Sequence, residues 1–235
     1  MRTAARREPF VEGSELRVDE TTVIGSAGSA AGEVVLRRRG GVTELIVGGV
    51  FVMDTVDVST EVELARVALS RHPRPERVLV GGLGLGFTAA AVLADARVRR
   101  VLVAEIAAPL ADWAGQGLMP APRLTDERLT VRVADVGTVL DAAAGEWDIV
   151  LLDVDNGPGF LVRPENADLY AGAGLRSAAA ALAPGGVLAI WSSHRAPDLL
   201  AALRGTDLGA AEEVVRRVHR DGREFDYAIY VLTAR

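Results

Sequence analysis

Three carboxylates in this sequence each follow a run of aliphatic residues. Glu105 closes the run 100–105, Asp135 closes 129–135, and Asp153 closes the strongly apolar run 147–153. Runs of this kind are typical of strands buried in a parallel sheet. Because the carboxyl ends of parallel strands meet at one edge, we expect the three acids to converge there, where such sheets bind their ligands.

A glycine-rich turn follows an earlier run of the same type, 77–81, and has Gly82, Gly84 and Gly86 at alternate positions before a predicted helix. Glycine allows positive φ and lets a ligand lie against the main chain, and the helix N-terminus offers free N–H groups. Glu105 stands nineteen residues after Gly86, where a doubly wound fold places the acid that binds a ribose. The spacing predicts a nucleoside-type cofactor, and a turn used only for packing is the alternative.

Other polar residues follow the later strands. Asp155 and Asn156 come just after Asp153, although Asp-Asn-Gly-Pro is also an ordinary turn. His194 lies just past the predicted strand 187–191, where it could act as a general base near neutral pH. Tyr170 stands near the start of a helix predicted over 168–183, where it either binds substrate or only packs. No metal site is predicted, although the acids at 153 and 155 could together hold Mg²⁺.

The elements that must position these residues alternate between strand and helix from residue 59 onward. That alternation predicts an α/β fold, with a doubly wound, mostly parallel seven-stranded sheet and a closing antiparallel pair at 213–220 and 225–233. Before residue 59, a hairpin signal at 34–47 and a strand at 50–54 predict a small antiparallel β-meander, with a flexible turn over 25–32. We therefore expect two regions, an N-terminal β-meander at 1–58 and a cofactor-binding domain at 59–235.

Composition excludes several classes of function. The net charge of −6 argues against a nucleic-acid backbone as partner, and the lack of cysteine excludes disulfides, thiol catalysis and zinc–thiolate sites. No apolar run approaches the roughly 18 residues that span a bilayer, and the basic start lacks the apolar stretch of a secretory signal. We expect a soluble, cytoplasmic protein without a membrane partner.

Over roughly residues 45–235 the chain resembles the class I S-adenosylmethionine (SAM)-dependent methyltransferases, within them the spermidine synthase-like branch. The resemblance lies in the glycine turn, Glu105, the segment 148–158, Tyr170 and the segment 182–188. It implies a Rossmann-like domain that binds SAM or decarboxylated SAM. The cofactor-binding residues that it implies are Gly82, Gly84, Gly86, Glu105, Ile106, Asp135, Val136 and Asp153.

The resemblance also implies a role for each residue. The three glycines would line the methionine part of the cofactor, and Glu105 would bind both ribose hydroxyls beside Ile106. Asp135 would accept the adenine amino group, next to the backbone N–H of Val136. Asp153 would stand at the reacting centre, with Asn156 and Tyr170 binding substrate.

Three positions depart from the family's pattern. Asn156 replaces the family's second aspartate, Leu85 stands where an acid is expected in the glycine turn, and residues 52–64 lack the tyrosine and glutamine of a polyamine-binding segment. Each change removes a partner from a site for a dication, which is costly to bury unpaired. These departures favour methyl transfer from SAM over aminopropyl transfer.

We therefore expect in-line attack of a small-molecule acceptor on the sulfonium methyl. Asp153, with Asp155 or His194, would orient or deprotonate the acceptor. The alternatives are aminopropyl transfer from decarboxylated SAM to an amine, a non-catalytic SAM-binding module, and a dehydrogenase. A homodimer is possible.

Overall fold

The computed structural model describes residues 20–220 and 222–235. The first residues of the region 1–58 lie outside the described residues. Among those described, the strands form two separate sheets, one of four strands and one of seven.

The N-terminal sheet is an antiparallel meander in the order β1-β2-β3-β4, as predicted. Its strands are β1 Thr21–Ser29, β2 Gly32–Arg39, β3 Val42–Val47 and β4 Val50–Asp54. The prediction of a flexible turn over 25–32 was wrong, because most of that stretch is strand β1. Gly25 serves close packing there, since a Cβ at this position would lie 2.7 Å from the indole of Trp113.

The larger sheet has the order β10-β11-β9-β8-β5-β6-β7 and confirms the predicted doubly wound, mostly parallel seven-stranded fold. Strands β5 to β9 pair in parallel, and β11 pairs antiparallel with both β9 and β10. The strands are β5 Arg77–Gly81, β6 Arg100–Glu105, β7 Leu129–Val133, β8 Trp147–Leu152, β9 Leu182–Ser192, β10 Gly209–Arg220 and β11 Arg223–Ala234.

Seven α-helices connect these strands within the described residues. They are α1 Ser59–Arg71, α2 Phe87–Leu93, α3 Ala108–Gly115, α4 Val136–Ala142, α5 Ala167–Tyr170, α6 Gly172–Ala180 and α7 Pro197–Gly205, and a 3₁₀ turn at Pro164–Asn166 precedes α5. None of the helices in the described ranges is long and apolar enough to cross a membrane.

The core lies on both faces of the large sheet because side chains alternate along each buried strand. In β5, Val78 and Val80 belong to one buried cluster, which includes Leu64 of α1. Leu79 points to the opposite face, where it joins a cluster that includes Leu140 of α4. Covering both faces makes the central strands apolar throughout, which is why the runs of aliphatic residues marked them in the sequence.

The helix predicted over 168–183 is broken into α5 and α6. Ala171 between them has an extended backbone, and Gly172 and Gly174 in the next turn are poor helix formers. The predicted stop at Pro184-Gly185-Gly186 was also wrong, since β9 already begins at Leu182. This break matters for function because it changes the position of Tyr170.

Candidate active site

A cleft opens at the carboxyl edge of the parallel strands, between that edge and the N-terminal sheet. It encloses about 890 Å³, including the part open to solvent. The polar residues that line it are Glu61, Glu105, Asp135, Asp153, Asp155, Asn156, Arg163 and Asn166. The apolar wall includes Leu45, Val47, Val52, Met53, Ile106, Val136, Val162 and Trp191.

Two of the three predicted glycines line this cleft, Gly82 and Gly84. Gly82 has φ +87°, and a Cβ there would overlap the backbone carbonyl of Asp153. A Cβ at Gly84 would lie 2.9 Å from the sulfur of Met53 in β4, so the N-terminal sheet packs directly on the turn. Gly86 lies outside the cleft lining and instead precedes α2 with φ +92°, packed against Leu124.

Glu105 ends β6 with its carboxylate buried at the wall of the cleft. One carboxylate oxygen accepts the N–H of Leu83 at 2.8 Å, and the other accepts the N–H of Ala107 at 2.7 Å. Burial raises the pKa of Glu105, and these N–H groups oppose that shift. Since a carboxylate has about four lone-pair sites, Glu105 is held rigidly and keeps acceptor capacity for hydroxyl groups of a ligand.

Asp135 both caps a helix and faces the cleft. Its side chain caps α4 by accepting the N–H of Thr138 at 3.1 Å, and it also lines the cleft. Val136, the first residue of α4, and Ile106 lie beside it on the same wall. Arg163 approaches Asp135 at 3.7 Å and is the only basic residue among the described residues of the lining.

Asp153 lies just beyond β8 and also faces the cleft. The hydroxyl of Thr88, in the first turn of α2, donates to its carboxylate at 2.6 Å. Burial raises the pKa of Asp153 to about 6, although the Thr88 hydroxyl acts in the opposite direction. A carboxylate with this pKa can accept a proton from a bound group near neutral pH.

Glu61, in the first turn of α1, is a further residue of the site that the sequence did not reveal. It is only 9% exposed and lines the cleft with Asp153. Burial raises its pKa to about 7, and the negative charge of Asp153 adds to the shift. An acid in the first helical turn is ordinary, so only its burial marks Glu61 as unusual.

Asp155 is buried and accepts three hydrogen bonds. Its Oδ1 accepts the N–H of Val162 at 2.7 Å and the amide of Asn166 at 3.0 Å. Its Oδ2 accepts the hydroxyl of Tyr170 at 3.2 Å. Burial raises the pKa of Asp155 despite these donors. This carboxylate therefore fixes the segment between β8 and α5.

The remaining predicted residues divide between two places. Asn156 lines the cleft, while its backbone oxygen accepts the Ser193 hydroxyl at 2.6 Å. Tyr170 and His194 are not in the described lining of the cleft but line a second, shallower recess beyond Asn156. The ring of His194 packs edge-on against Phe160 at 5.2 Å. The predicted catalytic role of His194 and the direct substrate contact of Tyr170 are therefore not supported by this geometry.

Leu85, which the sequence analysis treated as a missing acid of the ligand site, is fully buried in the core and does not line the cleft. Its identity therefore says little about which ligand binds. No cluster of three metal-ligating side chains occurs in residues 20–220 and 222–235.

The lining carries five carboxylates and one arginine. Such a lining suits a ligand with hydroxyl and cationic groups, because buried carboxylates need donors or positive charge. The fixed carboxylate of Glu105 and the backbone of Gly82 and Gly84 in the lining fit a nucleoside with a cationic substituent. The chemistry of the donors is therefore compatible with SAM or decarboxylated SAM.

Comparison with known sequences points to one group of enzymes. The chain is 30% identical over 133 residues to a polyamine aminopropyltransferase of Bacillus mycoides and 29% identical over 133 residues to polyamine aminopropyltransferase 1 of Bacillus anthracis. Each alignment covers 53% of this chain and 48% of the relative. The chain thus spans about half the length of the curated relatives it matches. No family model matches it.

Comparison with solved structures extends over most of the chain. A spermidine synthase in complex with the transition-state analogue AdoDATO superposes with a TM-score of 0.75 at 18% identity, covering 90% of this chain and 73% of that one. The spermidine synthase of Thermotoga maritima gives the same TM-score and identity, with 90% and 72% covered. A probable spermidine synthase of Corynebacterium glutamicum gives 0.64 at 18% identity, with 89% and 79% covered. The chain has the fold of the spermidine synthases, and its resemblance to the spermidine synthase-like branch of the class I SAM-dependent methyltransferases is confirmed.

Proposed function

We propose that this protein transfers an aminopropyl group from decarboxylated SAM to an amine acceptor. The observation that carries the proposal is the pair Glu61 and Asp153, which face one cleft from α1 and from the end of β8. An amine acceptor is cationic in water and must lose a proton before it attacks. Two carboxylates in a partly enclosed site bind the ammonium form and can take up its proton.

This proposal replaces methyl transfer as the favoured reaction. The sequence seemed to lack the carboxylates of an amine site, but Glu61 supplies one, and Leu85 lies outside the site. The similarity to polyamine aminopropyltransferases adds weight to the same reaction. Methyl transfer from SAM is kept as the competing result of the experiment below.

The charge of the cleft favours decarboxylated SAM over SAM. SAM carries a carboxylate that decarboxylated SAM lacks, and that group would enter a lining with five acids and one arginine. The arginine, Arg163, lies beside Asp135, at the end of the cleft proposed for adenine. A carboxylate near Asp153 would therefore meet like charge, which opposes binding in a site of low dielectric.

Each residue then has a proposed task. Glu105 accepts the ribose hydroxyls, and Asp135 with Val136 binds adenine beside Ile106. The backbone of Gly82 and Gly84 lines the cleft beside the sulfonium end. When bound, decarboxylated SAM supplies a sulfonium leaving group next to the carbon that is attacked. Asp153, fixed by the Thr88 hydroxyl, orients the acceptor nitrogen and takes up its proton.

The regions and the assembly are also proposals. We propose that residues 1–58 close one side of the cleft as a β-meander and that residues 59–235 form the Rossmann-like domain. Met53 of β4 contacts the glycine turn, and this contact supports a β-meander that closes one side of the cleft. A homodimer is compatible with this arrangement.

Product analysis tests the reaction. The purified protein is incubated at pH 8 with decarboxylated SAM or with SAM, together with a panel of amines, and nucleoside products are separated chromatographically. We expect methylthioadenosine from decarboxylated SAM and loss of at least 100-fold in rate for Asp153→Asn. Asp112→Asn, a change of the same type at an exposed position of α3, is the control. Formation of S-adenosylhomocysteine from SAM, without methylthioadenosine from decarboxylated SAM, would refute the proposal.

A further inference from the structure

We infer that the acceptor carries a single amine on a short apolar chain and is not a diamine. This inference rests on the proposed aminopropyl transfer and specifies the acceptor of that same site. It follows from which carboxylates in the cleft are already engaged, and from the neutral wall around the others.

Three of the five carboxylates in the cleft are unavailable to an acceptor. Glu105 and Asp135 lie on the wall with Ile106 and Val136, the side proposed for the nucleoside. Asp155 already accepts hydrogen bonds from three donors, which occupy both of its oxygens. These donors tie the carboxylate to the segment between β8 and α6 and leave about one of its four lone-pair sites, so Asp155 is engaged by the protein itself.

Glu61 and Asp153 are the two acids that remain. Their interaction is repulsive, since the charge of Asp153 raises the pKa of Glu61, so together they attract positive charge between them. Two amino groups need these carboxylates in the proposed reaction: the ammonium of the aminopropyl donor and the attacking amine of the acceptor. No carboxylate is left for a second ammonium on the acceptor.

Apart from Asp155, which its own donors engage, this part of the lining offers no acid. Asn156 has an amide where a second acid could stand, and the lining also includes Val52, Met53, Val162 and Trp191. A distal ammonium against this wall would lose its hydration without gaining a free carboxylate, which is unfavourable. A distal methyl group would instead gain from burial.

The proposed step balances with a monoamine. The ammonium form of the acceptor gives one proton to the carboxylate of Asp153 or Glu61. Its nitrogen lone pair forms the new C–N bond, while the C–S bond breaks and its electron pair stays on sulfur as a thioether. The product is a protonated secondary amine that carries the aminopropyl group.

A matched pair of amines tests the inference by binding alone. n-Butylamine and 1,4-diaminobutane share a four-carbon chain and differ only in the second amino group. Each is titrated calorimetrically at pH 8 into protein saturated with 5′-deoxy-5′-(3-aminopropylthio)adenosine, the thioether analogue of decarboxylated SAM. This analogue keeps the donor's ammonium group but has no sulfonium leaving group, so it cannot transfer the aminopropyl group. We expect n-butylamine to bind at least 10-fold more tightly. Equal or tighter binding of 1,4-diaminobutane would overturn the inference, and so would failure of both amines to bind.

Variants at Asn156 supply the matched controls. Asn156→Asp should raise the affinity for 1,4-diaminobutane at least 10-fold, because it places a carboxylate in the neutral wall. Asn156→Ala should preserve the preference for n-butylamine, since it adds no charge. An unchanged ratio in Asn156→Asp, with unaltered circular dichroism, would count against the inference.

Turnover separates this inference from the proposed function. Methylthioadenosine formed from decarboxylated SAM with n-butylamine supports both. Turnover with 1,4-diaminobutane alone would overturn the monoamine acceptor and leave aminopropyl transfer standing. Preferential binding of n-butylamine without turnover of any amine would instead overturn aminopropyl transfer.

Discussion

Replacing Asp153 by asparagine should stabilise the free protein while it abolishes turnover. Asp153 is half-buried at the cleft, and desolvation of its carboxylate raises its pKa from 3.8 to about 6. The pKa of this carboxyl is higher in the folded protein than in the unfolded chain, so the unfolded chain releases the proton more easily. Above the unfolded pKa, ionisation therefore lowers the free energy of unfolding. At about 1.4 kcal/mol per pH unit, this shift corresponds to about 3 kcal/mol.

The expected gain is somewhat smaller than this value. Asparagine can still accept the hydrogen bond of Thr88, but its amide hydrogens have no evident partner, which offsets about 1 kcal/mol. We therefore expect Asp153→Asn to raise the free energy of unfolding by about 2 kcal/mol at pH 8. The difference should grow between about pH 4 and pH 6, where the wild-type carboxyl ionises in the unfolded chain first and in the folded protein later.

Urea denaturation at pH 4, 5, 6 and 8 measures this effect. Asp112→Asn is the control, because Asp112 is exposed on α3 and should change stability little at any pH. In the same variant, ¹³C carboxyl resonances of Glu61 should titrate at lower pH than in the wild type, since the repulsion from Asp153 is gone. A loss of stability at pH 8, or a difference between variant and wild type that does not depend on pH, would refute this reasoning.

Other predictions concern residues that hold the cleft together. Glu105→Gln should weaken methylthioadenosine binding about 10- to 100-fold in calorimetry, since it removes a charged acceptor; unchanged affinity would contradict the ribose assignment. Gly82→Ala should destabilise the protein by more than about 3 kcal/mol in urea unfolding. The added Cβ would overlap the Asp153 carbonyl, and φ at this position is +87°. A folded, equally stable variant would contradict this. Asp155→Ala should lower the free energy of unfolding by about 3 kcal/mol, because it leaves buried donors without an acceptor. The melting temperature should fall by about 6 to 12 °C. A shift below about 2 °C would show that other contacts hold the segment.

Local sequence patterns predicted the fold and the parts of the site that belong to the strands. The apolar runs that end in Glu105 and Asp153, and the glycine turn between strand and helix, are short-range signals, and all three lie where they were expected. Strand ends are reliable in this way because the parallel sheet fixes their common edge.

The parts of the site that the sequence did not reveal depend on long-range packing. Glu61 approaches Asp153 only because α1 packs against the sheet, and nothing in its local sequence indicates burial. The positions of Tyr170 and His194 relative to the cleft also depend on such contacts, since Tyr170 donates to Asp155 and His194 packs against Phe160 of the segment after β8. Leu85 was misinterpreted because a turn with several positive φ angles directs its side chain into the core.

The most direct test of the central claim compares two donors that differ by one carboxylate. Decarboxylated SAM and SAM are each titrated calorimetrically into the protein at pH 8, where Glu61 and Asp153 are both largely ionised. We predict that decarboxylated SAM binds at least 10-fold more tightly, because the acidic lining repels the extra carboxylate. Equal or tighter binding of SAM would contradict aminopropyl transfer and favour methyl transfer as the reaction.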